Sequence, residues 1–304
     1  MVTDAPQVLG RTRQLILDLW EISRPGLFLV SLVPFYLGYL LASGELIGPA
    51  TGLLGLVIWG PLVWLAVLAI NDAYDLEGDL LNPRKDTPLT SGRISEGGAK
   101  AAAYGSAALA LALSFAVRPE MALATLGFLV CGWVYSVPPM KWKNRPGLDV
   151  LSNCTALGVF PVLGGWAAVK PFDGLPWLVI AVVLLVEIAF YTPTMIPDIE
   201  SDRASGYTTM AVRIGAERTY LVGMVCWTGF WLLTVGMAAV GEVFPQWMVW
   251  PWAVFAPVFL WLYHDGLSKA REPKDVGRGM IRVGKLFLLP CLLFALGYTE
   301  IISF

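Results

Sequence analysis

The strongest constraint on this chain is a repeated one: runs of roughly 20 mostly apolar residues, each long enough for a helix to cross a bilayer core, joined by short polar segments. Nine such runs can be drawn, over residues 24–43, 53–80, 99–117, 120–138, 148–169, 175–197, 218–240, 246–264 and 281–302. In hydrocarbon every backbone N–H and C=O needs an internal partner, so apolar runs of this length are expected as helices. Composition agrees. The chain is 57% hydrophobic and 14% charged, whereas a soluble domain carries about 25% charged residues. The expected fold is all-α and polytopic: nine transmembrane helices in one bundle around a central lipid-accessible cavity, with residues 1–304 forming a single domain.

A net charge of −2 is uninformative, but its distribution is not. Of 21 Lys and Arg residues, 19 fall in the N-terminal segment and in alternate loops, and only Arg118 and Lys170 fall in the others. Basic residues mark the cytoplasmic face, so the N-terminus and the even-numbered loops are expected there. The integral membrane setting is the inner or plasma membrane or its equivalent. The segment up to about Ser23 has no signal-peptide hydrophobic core, and no cleavage is expected. The four cysteines show no paired spacing, which reads as buried thiols rather than disulfides or a metal site. Nothing in the charge pattern points to nucleic acid or to an obligate protein partner.

The second run ends in INDAYDLEGDLLNPRKD, beginning at Ile70, and crowds carboxylates at a membrane edge. At 100° per residue, Asp72, Asp75 and Asp79 fall within about 60° of one another, while Glu77 points roughly the opposite way. Asn71 flanks the aspartates. They lie near a helix C-terminus, where the dipole is already negative, and like charges this close repel and resist ionisation. A cation is the simplest remedy, and carboxylate and amide oxygens suit Mg²⁺, which often also takes phosphate oxygens. A second cluster closes the sixth run in IPDIESDRASG, with Asp198 and Asp202 about one turn apart. Solvated helix ends paired with loop arginines would look similar. Two matched clusters on one side, four spans apart, favour two halves of a bundle facing each other across one site that holds a diphosphate between metal ions.

These residues resemble a known family. NDAYDLEGD resembles the first aspartate-rich motif, N-D-x-x-D-x-x-x-D, of the UbiA superfamily of intramembrane prenyltransferases. DIESD resembles its second motif, D-x-x-x-D, and YSVPPMKWK (135–143) resembles its loop bearing Tyr and Lys. The resemblance spans nearly the whole chain. It implies that a prenyl diphosphate binds with its head on Mg²⁺, two ions in all, and its tail in the bundle. The C–O bond ionises, a lipophilic acceptor captures the allylic cation, and a proton is lost. The implied metal positions are Asn71, Asp72, Asp75, Asp79, Asp198 and Asp202. The implied diphosphate contacts are Arg24, Lys141 and Lys143, with Arg84, Lys85 and Arg203 added by position. Physical chemistry asks for the same parts: cations beside a departing diphosphate, and an apolar cavity that keeps water from a carbocation. Most of the 13 Trp are expected in an interfacial belt.

The acceptor is harder to read. The chain lacks the R-P pair that often follows the first motif in 4-hydroxybenzoate, haem and chlorophyllide enzymes. NPRKD, YSVPPMKWKNRPGLDVLSN and IPDIESDRASG look more like the carotenoid branch, the lycopene elongases, with homogentisate, other quinone-precursor or chlorophyllide enzymes as alternatives. Glu187 lies inside the sixth run with Tyr191 one turn later, and intramembrane ionisable groups are functional candidates by default. Were the helix regular, Glu187 would share a face with Asp198, about 16 Å deeper, although Pro193 and Pro197 interrupt. Glu187 lines the acceptor or tail pocket and takes the lost proton, or it is a protonated carboxyl bonded to a neighbouring helix. Asp198, Lys141, Tyr191 and Glu187 are the candidates for the chemistry itself. Ser152, Asn153 and Thr155 read as interhelical glue or substrate contacts. A transporter would place its charges nearer the midplane. A terpene cyclase on the same scaffold would need no acceptor.

Overall fold

The structure is a computed structural model and describes residues 5–46, 50–80 and 85–303. Among these it contains helices and no strand. In chain order the helices are α1 (Ala5–Ser23), α2 (Phe28–Ser43), α3 (Thr51–Val57), α4 (Val63–Leu80), α5 (Glu96–Val117), α6 (Pro119–Ser136) and α7 (Leu148–Cys154). There follow α8 (Phe160–Ala167), α9 (Leu178–Thr194), α10 (Ile199–Ala204), α11 (Met210–Ile214), α12 (Ala216–Val240), α13 (Val249–Leu267) and α14 (Pro273–Tyr298). Wide π turns at Ile58–Leu62 and Thr155–Val159 join α3 to α4 and α7 to α8.

Six helical runs among the described residues are long and apolar enough to cross a membrane: Gly10–Ser43, Thr51–Leu80, Glu96–Val117, Leu148–Ala167, Ala216–Val240 and Pro273–Tyr298. Leu178–Thr194 is apolar but shorter. Each of the nine expected spans coincides with helix, yet length and composition alone do not confirm a count of nine. The chain is an all-helical, integral membrane protein.

The helices fall into two compact units. The first comprises Met1–Tyr39, Pro49–Lys141 and Phe160–Phe172. Its centre is Trp59, buried among Phe35 and Phe128. Gly60 leaves the helical region (φ −92°, ψ −108°), and the Val63 N–H bonds the carbonyls of Ile58 and Gly60 rather than that of Trp59, so the Trp59 carbonyl is released where no water can reach it. Ser31 donates to that Trp59 carbonyl at 2.6 Å and accepts from Trp64 Nε1 at 2.7 Å. On the other side, α2 and α8 meet backbone to backbone. A Cβ on Gly38 would lie 2.0 Å from the Val162 carbonyl oxygen, and one on Gly165 would lie 1.8 Å from that of Phe35. Only glycine permits this approach, a packing mode suited to lipid, where close contact must replace the hydrophobic drive between helices.

The second unit comprises Leu40–Gly48, Trp142–Val159 and Asp173–Phe304. Its core is aromatic: Trp227 stacks on Phe230 and meets Trp231, Phe259 and Phe287 edge-on. Trp227 Nε1 donates to the Phe259 carbonyl at 3.0 Å, and the Tyr263 hydroxyl donates to the Ala189 carbonyl at 2.7 Å, pinning α9 to α13. The expected tryptophan belt is therefore only part of the picture. Trp20, Trp177, Trp250 and Trp261 are exposed as a belt requires, while Trp59, Trp64, Trp166, Trp227, Trp231 and Trp252 are buried. Large rings fill wide interhelical gaps; Trp166 and Trp227 also donate their indole N–H to the Pro171 and Phe259 carbonyls, whereas those of Trp59, Trp231 and Trp252 are buried without a partner.

Candidate active site

The C-terminal half of α4 presents the first acidic motif as the helical spacing requires. Ile70, Ala69 and Ala73 face inward, in a cluster with Ile22 of α1, Leu89 and Ile94 of the 85–95 loop, Ala99 and Ala103 of α5 and Val137. Asp72, Asp75 and Asp79 line the adjacent face, and Glu77 is exposed. Each aspartate meets one basic side chain from a different segment. Arg24, just past α1, reaches Asp72 at 2.6 Å; Lys85 reaches Asp79 at 3.3 Å; and Lys141 reaches Asp75 at 3.9 Å. Asp72 is the deepest of the three carboxylates, with a side chain only 3% exposed. Asn71 donates through Nδ2 to the Ser136 hydroxyl at 3.0 Å, so its amide nitrogen is committed and its oxygen remains to accept.

Two of these basic residues sit in strained backbone. Arg24 (φ 49°) and Lys141 (φ 36°) are left-handed, as only Val243 and Glu300 also are among the described non-glycine residues. Such conformations cost of order 1–3 kcal/mol and persist where the surroundings impose them, commonly at ligand clamps. Arg24 closes α1 by donating its N–H to the Glu21 carbonyl at 3.1 Å. Lys141 donates its N–H to the Val137 carbonyl at 3.0 Å, closing the turn that follows α6.

The second unit carries the second motif. Pro193 and Pro197 end α9 at Thr194, and a turn leads to Asp198, which precedes α10. The regular helix that would have put Glu187 and Asp198 on one face is therefore absent. The Asp202 N–H donates to the Asp198 carbonyl at 2.8 Å, so the two lie one turn apart. Asp198, Glu200 and Arg203 are exposed. Burial pushes the Asp202 carboxyl above the usual range; the Thr209 hydroxyl, donating at 3.2 Å, opposes the shift, and Asp198 and Asp149 add to it. Asp149 organises this region, accepting from the backbone N–H groups of Gly147, Val150 and Met210 at 2.7, 2.9 and 2.6 Å. Lys143 is buried in the turn Trp142–Asn144.

Of the remaining candidates, Arg84 lies outside the described residues. Glu187 of α9 packs on the π turn, where a Cβ on Gly158 would lie 2.7 Å from its Cγ. Tyr191 packs against Val150, Cys154, Met195 and Ala211. Ser152 is not interhelical glue, because its hydroxyl donates at 2.6 Å to Leu148 of its own helix. Sequence reasoning does not reach Arg93 either, which the charge distribution counts only as positive-inside charge. It donates to Asp18 at 2.6 Å and to both oxygens of Glu21 at 2.9 Å. No pattern in the sequence joins residues so far apart.

Among the described residues no three acidic, histidine or cysteine side chains converge tightly enough to cage a metal alone. The donors are nevertheless all hard oxygens on a basic-rimmed helix face. That suits Mg²⁺, which takes one or two carboxylates and completes its shell with water and phosphate. Asn71, Asp72, Asp75 and Asp79 fit that role in the first unit, and Asp198 and Asp202 fit it in the second.

Residues 31–283 match the UbiA prenyltransferase family. A lycopene elongase/hydratase of Halobacterium salinarum is 34% identical over 234 residues, 74% of this chain and 80% of that protein. A digeranylgeranylglyceryl phosphate synthase of Methanoregula boonei is 31% identical, covering 74% of this chain and 82% of its own length. A solved UbiA homolog from Archaeoglobus fulgidus, bound to GPP and Mg²⁺, superposes with a TM-score of 0.68 at 21% identity, over 93% of this chain and 99% of that one.

Proposed function

This chain belongs to the UbiA prenyltransferase family, and from that premise we propose that it transfers a short prenyl group from a prenyl diphosphate to the end of a carotenoid, in the manner of a lycopene elongase. The observation that carries the reading is the pairing of each first-motif aspartate with its own basic side chain. Such a face can take divalent cations on its carboxylates and hand its Arg and Lys groups to phosphate oxygens. Asn71, Asp72, Asp75, Asp79, Asp198 and Asp202 would hold Mg²⁺, taken as two ions, which would supply positive charge to the departing diphosphate. Arg24, Lys85 and Lys141 supply the remaining positive charge, with Lys143, Arg203 and Arg84 in the same role. Asp198 and Asp202 serve the same donor. Glu187, with Tyr191 beside it, lines the acceptor pocket and receives the proton lost after coupling. The active-site mouth and the N-terminus are assigned to the cytoplasmic side, a reading that the distribution of Lys and Arg supports.

The carotenoid acceptor rests on the three loop sequences described above and on the similarity to the Halobacterium protein. Similarity to the Methanoregula synthase supports a second reading, with a glyceryl ether as acceptor. The test is a product screen in lipid with Mg²⁺. Dimethylallyl, geranyl and geranylgeranyl diphosphates are offered against lycopene, homogentisate, chlorophyllide and geranylgeranylglyceryl phosphate, with products identified by mass. A five-carbon adduct on lycopene is expected. A long-chain adduct on the glyceryl ether or on an aromatic ring would keep the donor site and discard the carotenoid acceptor. A prenyl product joined to no acceptor would point to a cyclase.

A further inference from the structure

Arg93 belongs to none of the motifs, yet all three nitrogens of its guanidinium donate hydrogen bonds. Nη1 donates to Asp18 at 2.6 Å, Nη2 to Glu21 at 2.9 Å and Nε to Ser91 at 3.1 Å. Asp18 is buried, 4% exposed at its side chain, and also accepts from Gln14 at 3.0 Å. A buried carboxylate with two such donors is held in place, because losing them would leave an uncompensated charge. The clamp joins the last turns of α1 to the loop that follows the first motif. Beneath it, Ile22 of α1 and Leu89 and Ile94 of the loop share one apolar cluster with Ala69 and Ala73 of α4.

Glu21 is the last link before the site. Its carbonyl accepts the Arg24 N–H, Arg24 turns left-handed (φ 49°), and the Arg24 guanidinium meets Asp72 at 2.6 Å. We infer that Arg93 is a positioning residue for the donor diphosphate: by clamping Asp18 and Glu21 it holds the end of α1 against the 85–95 loop and so aims Arg24 at the site. This rests on the proposed role of Arg24 as a diphosphate contact. Lysine could not replace Arg93, since a single ammonium cannot present a planar fork to three acceptors.

The test is calorimetric binding of inorganic pyrophosphate, with Mg²⁺, to the full-length protein in lipid, as a double-mutant cycle between Arg93 and Arg24. Arg93→Met should weaken binding about tenfold, the scale of one misplaced charge-assisted hydrogen bond. In the Arg24→Met background it should change binding less than about twofold, because its route of action is already gone. Arg93→Lys should behave like Arg93→Met. Glu21→Gln, which keeps side-chain shape and removes half of the clamp, should weaken binding in the same direction and serves if Arg93→Met does not fold. The inference is overturned if Arg93→Met leaves affinity intact, if its cost is unchanged in the Arg24→Met background, or if Arg93→Lys restores binding, which would make bulk charge the cause. Unchanged pyrophosphate affinity in Arg24→Met alone would instead remove the proposed role of Arg24, and the clamp's purpose with it.

Discussion

Arg24→Met separates the structural from the functional share of the first motif. Asp72 is 3% exposed at its side chain and Arg24 is 37% exposed, with 2.6 Å between nitrogen and oxygen. Charge centres about 4 Å apart attract by roughly 4 kcal/mol at an effective dielectric constant of 20. Desolvation of Asp72, together with solvent screening on the open Arg24 side, removes about half of that. Deleting the guanidinium should therefore destabilise the folded protein by about 2 kcal/mol, or roughly 4 °C in Tm for a chain of this size. Adding Asp72→Asn to Arg24→Met removes the stranded charge and should recover most of the loss, although neither variant should bind diphosphate well. Thermal unfolding in detergent, followed by the fluorescence of the buried tryptophans, checks the sign and size. The reasoning is refuted if Arg24→Met melts with the wild type, or if the double variant is as unstable as the single one.

Other substitutions probe the remaining links. Asp75→Ala and Asp198→Ala should each abolish prenyl transfer while the protein still inserts and folds, whereas Glu77→Ala should stay within a few-fold of wild type; equal loss at Glu77 would mean that the wrong face of α4 has been assigned. Gly165→Ala should cost upward of about 2 kcal/mol, because overpacking strains a close helix pair and the added methyl would lie 1.8 Å from the Phe35 carbonyl oxygen; a wild-type melting curve would show that α2 and α8 do not meet so closely. Ser31→Ala strands the Trp59 carbonyl and the Trp64 indole N–H and should cost about 1–3 kcal/mol, read in the same melting assay.

Much of the site was legible because α4 is regular where it matters. From Val63 to Leu80 the 100° step holds, so the face bearing Asp72, Asp75 and Asp79 and the opposed Glu77 could be placed from spacing alone. The partners could not. Arg24 and Asp72 are 48 residues apart, and Arg93 and Asp18 are 75 apart. Such contacts depend on how helices pack, which no local pattern encodes. The link from Glu187 to Asp198 failed for a local reason instead: Pro193 and Pro197 end the helix between them. The tryptophans misled by composition. Trp is common at interfaces, but in this chain Trp59 and Trp227 are buried between helices, and Trp227 also donates to the Phe259 carbonyl of a neighbouring helix.

On the proposed function, the α4 carboxylates and their basic partners act together on metal and diphosphate. Titrating Mg²⁺ into the protein in lipid by calorimetry, with and without inorganic pyrophosphate, tests it most directly. Metal alone must draw Asp72, Asp75 and Asp79 away from Arg24, Lys141 and Lys85, while pyrophosphate gives those cations new partners. Pyrophosphate should therefore tighten Mg²⁺ binding about tenfold or more, and by linkage Mg²⁺ should tighten pyrophosphate binding by the same factor. Equal Mg²⁺ affinity with and without pyrophosphate would contradict the account.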